Sequence, residues 1–212
     1  MRDFCAYLDE SDAQPGGRQP AVYVVAAAIV DTAERPQIET ALRGLVTPED
    51  RYGRLHHSRI RDPVRQRMLS DVIASLRGTS FVVASLTGYT RTKDREAVRA
   101  QVLDPLFLHL AKDRAMSWIV IEQREDPGLR AADSRVASRL QNREPVTREV
   151  KFTQARASDE PCLWIADFVA AAYRRLLVDG KDNLWTRYQP HAEEISVRWD
   201  PARREAKRPG KR

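Results

Sequence analysis

The stretch Leu163 to Tyr173 constrains this chain more than any other. It reads Leu-Trp-Ile-Ala-Asp-Phe-Val-Ala-Ala-Ala-Tyr and is apolar on nearly every side of a helix. A helix without a polar face belongs in the interior, packed against other elements. Ser158, Asp159 and Pro161 supply cap and first-turn signals, so this helix is expected from about Pro161 to Val178. Asp167 sits in its middle. Burying a carboxylate without compensation is costly, so Asp167 requires a cation or strong donors. Two helical turns separate Glu160, Asp167 and Arg174, which puts them on one face beside the small Ala170 and Ala171. Either Arg174 or another arginine pairs with Asp167 inside the fold, or a metal ion does.

The rest of the chain alternates strand-like and helix-like runs. Phe4 to Leu8 is an apolar β-prone run that stops on Asp9 and Glu10. A turn cluster spans Ala13 to Gln19 around Pro15-Gly16-Gly17, and the run Ala21 to Val30 completes a hairpin. Pro36 opens a helix with Ile38, Ala41, Leu42 and Leu45 on one stripe. A polar connection ending in Leu55-His56-His57-Ser58 leads to a helix whose apolar stripe is Ile60, Val64, Met68, Leu69, Val72, Ile73 and Leu76, closed by Gly78. Thr79 to Leu86 is a third strand, and Lys93 to Lys112 a helix that Pro105 kinks or splits.

The run Ser117 to Glu122 repeats the opening logic, a buried strand that terminates on an acid. A polar helix with Ala132, Val136 and Leu140 follows, then a fifth strand over Glu149 to Thr153. Beyond Gly180 the periodic signal fades. Trp185, Tyr188, Ile195 and Trp199 are expected to clamp a last excursion onto the domain. The pattern is that of one domain over residues 1–199, followed by a basic, disordered tail over 200–212.

That tail carries much of the charge imbalance. Lys and Arg number 36 against 30 Asp and Glu, with a pI near 9.6, yet Arg203, Arg204, Lys207, Arg208, Lys211 and Arg212 crowd the C-terminus. The domain itself is close to neutral, so its basicity alone is a weak argument for nucleic acid. Cys5 and Cys162 lie in apolar runs without metal or disulfide spacing, which fits a reducing cytoplasm. No apolar stretch is long enough to span a membrane. Phosphate-loop glycine spacings and a GxSxG elbow are also missing, which argues against nucleotide-loop and serine-nucleophile chemistry.

What remains is a set of acids at positions that should be buried. With the first and fourth strands adjacent, Asp9 and Glu122 converge, and a helix packed across them adds Asp167. Such carboxylates repel one another unless a divalent cation neutralises them, and hard oxygen ligands suit Mg²⁺ or Mn²⁺. Strand alternation separates the two acids of the opening strand. Asp9 shares a face with Tyr7 and Cys5, so it is the expected ligand, with Glu10 an auxiliary acid. His56 and His57 are candidates for binding a scissile phosphate or moving a proton. As loop histidines they could equally be solvated bystanders. Arg124, just beyond the fourth strand, is a further candidate for phosphate contact.

The segments Tyr7-Leu8-Asp9-Glu10-Ser11, Leu55-His56-His57, Val120-Ile121-Glu122 and Glu160 to Phe168 together resemble the ordered motifs of a bacterial family, domain of unknown function 3800. The resemblance spans roughly residues 3 to 178. It implies an α/β, ribonuclease H-like fold, with a mixed five-stranded sheet flanked by helices and a helical insertion at about 31–78 between strands two and three. It also implies metal-binding acids from the first strand, the fourth strand and the last helix, which are Asp9, Glu122 and Asp167 here. The ribonuclease H fold further takes an acid from the helix after the third strand, where Glu96 is the candidate. Some members of the family are associated with defence or mobile elements.

The function these readings favour is a metal-dependent phosphodiesterase or nuclease acting on RNA, DNA or a hybrid. The alternatives are a non-catalytic nucleic-acid- or protein-binding module on the same fold, and a structural domain in which Arg174 neutralises Asp167.

Overall fold

The computed structural model describes residues 3–14, 21–180 and 184–205. The turn around Pro15-Gly16-Gly17 and the last residues of the basic tail, 206–212, lie outside them.

Six strands form one sheet: β1 (Phe4–Ala13), β2 (Val22–Asp31), β3 (Thr79–Thr87), β4 (Trp118–Glu122), β5 (Lys151–Ala155) and β6 (Ala192–Val197), in the order β5-β4-β1-β2-β3-β6. β2 alone runs against the others, being antiparallel to both β1 and β3, while β4, β5 and β6 pair in parallel. The expected ribonuclease H-like mixed sheet is therefore present as β5-β4-β1-β2-β3, with one strand more. β6 escaped sequence reading because Ala-Glu-Glu-Ile-Ser-Val lies at the sheet edge with its two glutamates exposed, and edge strands carry charge where a central strand carries apolar residues.

The helices are α1 (Arg35–Gly44), α2 (Pro63–Ala74), α3 (Arg95–Lys112), α4 (Pro127–Arg143), α5 (Cys162–Asp179) and the single turn α6 (Trp185–Tyr188). α1 and α2 supply the helical insertion between β2 and β3. The alternation of side chains along each strand divides the core into two layers. Tyr7, Val24, Ala26, Ala28 and Val120 face α5, whereas Leu8, Val25, Ala27, Ile119 and Ile121 face α3 and α4. Every residue of β2 is buried. It reads as a continuous β-branched and alanine run because helices cover it on both sides. Ala26 and Ala28, facing Ala166 and Ala170 in the same layer, let α5 approach the sheet closely.

Several sequence expectations shift. α3 runs unbroken through Pro105. Of the apolar stripe assigned to α2, Ile60 is buried but precedes the helix, and within the helix Leu69 and Ile73 are buried, together with Ser70, while Val64 and Met68 are exposed. α2 packs against the short α6 instead of the sheet, so its buried face is narrow. The helix starts at Pro63 because Asp62 caps it, accepting from the Val64 N–H at 2.9 Å. Pro201–Glu205 forms a short 3₁₀ turn, and the Asp200 backbone is held by Gln101. Among the described residues no helix is long and apolar enough to cross a membrane.

Gly78, expected to end α2, instead makes the turn into β3 with φ +72°. A Cβ there would sit 2.9 Å from Glu34 Cγ and 3.2 Å from Asp31 Cβ. Gly78→Ala is expected to cost about 1–2 kcal/mol through the left-handed backbone alone. Urea unfolding of the variant beside the parent measures it.

Candidate functional site

The parallel register pairs Tyr7 with Val120 and Leu8 with Ile121, so one step further along the strands sets Asp9 beside Glu122. Both acids have the parity of the face covered by α5. α5 crosses β1 and β2, and its Asp167 completes the group from above. These carboxylates line a narrow cleft with Arg54, His56 and Trp164, leaving about 10 Å³ of space, close to the room one water needs.

Asp9 and Asp167 are both only 8% exposed. The Asp9 and Glu122 carboxyls are adjacent across the β1–β4 pair, and each disfavours ionisation of the other. Burial pushes the Asp9 carboxyl well above the usual range, and the charges of Glu122, Asp167 and Glu10 push it further. Burial likewise raises Glu122. Asp9 Oδ1 accepts the Glu10 N–H at 2.7 Å, a contact far too weak to offset that repulsion. The one guanidinium within ion-pair distance of these acids, among the described residues, is Arg54, whose Nη1 is 3.5 Å from Glu122 Oε1.

The two histidines divide their roles. His56 Nδ1 is 3.0 Å from Asp167 Oδ2, and this bond raises the imidazole pKa against the opposing effect of burial. His57 contributes its backbone N–H to the same oxygen at 2.7 Å. Its ring turns away, packing edge-on against Phe168 at 5.2 Å between centroids. Burial drives that ring down to about 4, so it is neutral. The pairing of Arg174 with Asp167 does not form: Arg174 Nε donates to Ser11 Oγ at 3.0 Å.

Other candidate residues are engaged elsewhere. Glu10 points to the opposite face of the sheet, 2.5 Å from Arg99 Nη1. Arg99, a residue that sequence reading passed over, is 1% exposed and also forks onto Asp133 at 2.8 and 3.0 Å. Its signal was its position next to Val98 within the buried stripe of α3. Glu96 takes both Nη groups of Arg124 at 2.7 and 2.8 Å, so neither the expected fourth acid nor the expected phosphate arginine is free. Glu160, on the same helical face as Asp167 by spacing, pairs with Arg35 at 2.7 Å.

The tightest group of possible ligand atoms among the described residues is a different one: Glu39, Glu160 and Cys162, all within 4.8 Å of one another. Asp9, Glu122 and Asp167 are not drawn together that closely. The two clusters differ in how their charge is met. Arg35 bridges Glu39 at 2.6 Å and Glu160 at 2.7 Å, and burial pushes the Cys162 thiol far up, so that cluster already holds its counter-ion and a protonated sulfur. The Asp9 cluster lacks an equivalent cation.

No family model matches the chain, and no curated protein does. A solved structure described as a mutant form of Bst-RNase HIII is similar at 15% identity and a TM-score of 0.41, covering 81% of this chain and 51% of that one. This chain thus spans about half the length of that protein. The fold is defined by the strand order and direction given above.

Proposed function

We propose that this protein is a divalent-metal-dependent phosphodiesterase acting on nucleic acid. The observation that carries the reading is the gathering of buried Asp9, half-buried Glu122 and buried Asp167 where β1 and β4 end beneath α5, with Arg54 at 3.5 Å from Glu122 as the one guanidinium in ion-pair range among the described residues and none on Asp9. An arrangement of this kind is destabilising unless a ligand repays it. Asp9, Glu122 and Asp167 would hold Mg²⁺ or Mn²⁺, since their donors are all carboxylate oxygens. Bound there, the metal supplies an activated water and charge stabilisation at the phosphate oxygens.

The surrounding residues have roles of their own. Asp167 fixes the His56 ring through Nδ1, which leaves Nε2 to exchange a proton with a group in the cleft. The His57 N–H orients Asp167. Arg54 spans the gap between Glu122 and the adjoining cleft, where a guanidinium can meet a phosphate. Glu10, held by Arg99, is a structural acid that keeps the end of β1 in place.

Metal titration tests the reading. Mn²⁺ or Mg²⁺ at about a hundred times its dissociation constant should stabilise the fold by about 2.7 kcal/mol. For a chain of this size that corresponds to a rise in Tm of roughly 5–10 °C. The same ions should switch on hydrolysis of labelled single-stranded, duplex or hybrid substrates. If Tm is unmoved and no substrate is cut, the protein is a binding module and the proposal fails.

A further inference from the structure

We infer that the cleft beside the acids, lined by Tyr52, Arg54, Arg124, Arg130 and Arg156, is the binding site for a single-stranded segment of nucleic acid, with one base stacked on Tyr52 and the flanking phosphates on Arg130 and Arg156. The inference rests on the proposed activity for its choice of polyanion. Its own support is local. The cleft encloses about 600 Å³ and shares Arg54, Glu122 and Ala157 with the acid site, so a chain lying in it leads directly to the carboxylates.

Tyr52 is the first clue. It is 75% exposed, more than any other large apolar side chain among the described residues. Its backbone occupies the left-handed region, with φ 64° and ψ 21°, which is a costly conformation for a bulky residue. That geometry holds the ring out over the cleft. Arg59 lies over one face, its guanidinium carbon 5.3 Å from the ring centroid, and the ring as a whole stays 75% exposed. A flat aromatic face with a cation behind it is a stacking platform for a base.

The charges are the second clue. Arg156 is exposed and forms no ion pair among the described residues. Arg130 Nη1 donates only to the backbone carbonyls of Arg124 and Glu125, at 3.2 and 3.0 Å. Neither is held in an ion pair among the described residues, and with Arg54 and Arg124 they outnumber the acids of the cleft, Glu122 and Glu125. Arg124 is spent on Glu96 and serves as a wall. The cleft on the other side of the acids, about 580 Å³ in volume, is different in character. There Arg174 and Arg175 stand among Glu10, Asp12, Asp167 and Asp179. A nucleic-acid strand is therefore anchored on the Tyr52 side. A base inside a duplex already has both faces stacked, so Tyr52 selects an unpaired one.

Fluorescence anisotropy on the full chain, in chelator so that nothing is cut, tests this with a labelled single strand of about 12 nucleotides and the matching blunt duplex. The single strand should bind at least about tenfold tighter than the duplex. Tyr52→Asn, an exchange that suits the left-handed backbone, should weaken it about tenfold, and Tyr52→Trp should restore it. Arg156→Ala should lower the slope of log affinity against log salt by about 0.7. Tm values equal to the parent's verify that the variants are folded. Equal binding by parent and Tyr52→Asn, or equal binding of strand and duplex, overturns the site. Parallel hydrolysis assays with Mn²⁺ separate the two ideas. Cutting that persists with Tyr52-independent binding removes this site alone, whereas Tyr52-dependent binding without any cutting removes the activity alone.

Discussion

Asp9→Asn and Asp167→Asn should each lower metal-dependent hydrolysis by on the order of a thousandfold or more, while the metal-free protein becomes no less stable. The first half follows from removing a ligand to a metal whose charge is worth several kcal/mol in the transition state, where 1.36 kcal/mol is a factor of ten. The second half distinguishes a ligand from an ordinary buried acid. Removing one member of a satisfied ion pair destabilises a fold, whereas removing one of several mutually repelling carboxylates relieves it. Asp9 is the sharper case, because burial and the charges of Glu122 and Asp167 raise its pKa. Asp167 also accepts from His56 and the His57 N–H, so its replacement forfeits part of that gain.

The same cause gives a pH signature. An acid whose pKa is higher in the folded than in the unfolded protein binds its proton more tightly when folded, so stability rises as pH falls toward its folded pKa. In chelator, the parent should therefore gain stability as pH falls toward the folded pKa of Asp9, with the raised His56 imidazole adding to the gain, until the buried His57 ring begins to oppose it near its ordinary pKa of about 6.5. Asp9→Asn should reduce that gain to the part that His56 contributes, and saturating Mn²⁺ should reduce it in the parent. Thermal melts across pH measure all three.

The largest purely structural effect is expected at Arg99. Its guanidinium lies between Glu10 and Asp133 and also donates to the Tyr23 hydroxyl at 3.1 Å. Arg99→Met leaves buried Asp133 and half-buried Glu10 without their direct ion-pair partner, which costs about 3–5 kcal/mol. Tm should fall by roughly 10 °C or more. The triple variant Arg99→Met, Glu10→Gln, Asp133→Asn should recover much of the loss, because it removes the stranded charges together with their partner. Chemical denaturation of the two proteins measures the difference. Arg99 matters to the site as well. Burial alone would raise the Glu10 pKa, but Arg99 outweighs it and holds Glu10 ionised and turned away from the Asp9 cluster.

Much of the architecture was legible because period and burial agreed. The nearly all-apolar first half of α5 and the continuous run of β2 could only be central, and the alternation of β1 separates Asp9 from Glu10. Asp167 stood out because nothing else in its helix was polar. The failures share a cause. β6 and the Asp200 contact depend on partners distant in the chain, so their local sequence carries no periodic signal. Val64 and Met68 fit a helical stripe, yet the element that α2 meets is too short to cover them. Arg54 and Tyr52 lie in a polar connection whose path is set by neighbours, and their placement beside Glu122 has no sequence signature. Arg99, Glu96 and Arg124 show the converse: side chains that look available for chemistry are consumed by ion pairs.

The central claim is that Asp9, Glu122 and Asp167 hold a divalent cation. Crystals soaked in Mn²⁺ and examined by anomalous diffraction test it most directly. A manganese peak within bonding distance of Asp9 and at least one of its two partners, absent from crystals of Asp9→Asn, is the predicted result. Manganese bound only at Glu39 and Glu160, or an empty cleft at saturating metal, would contradict it.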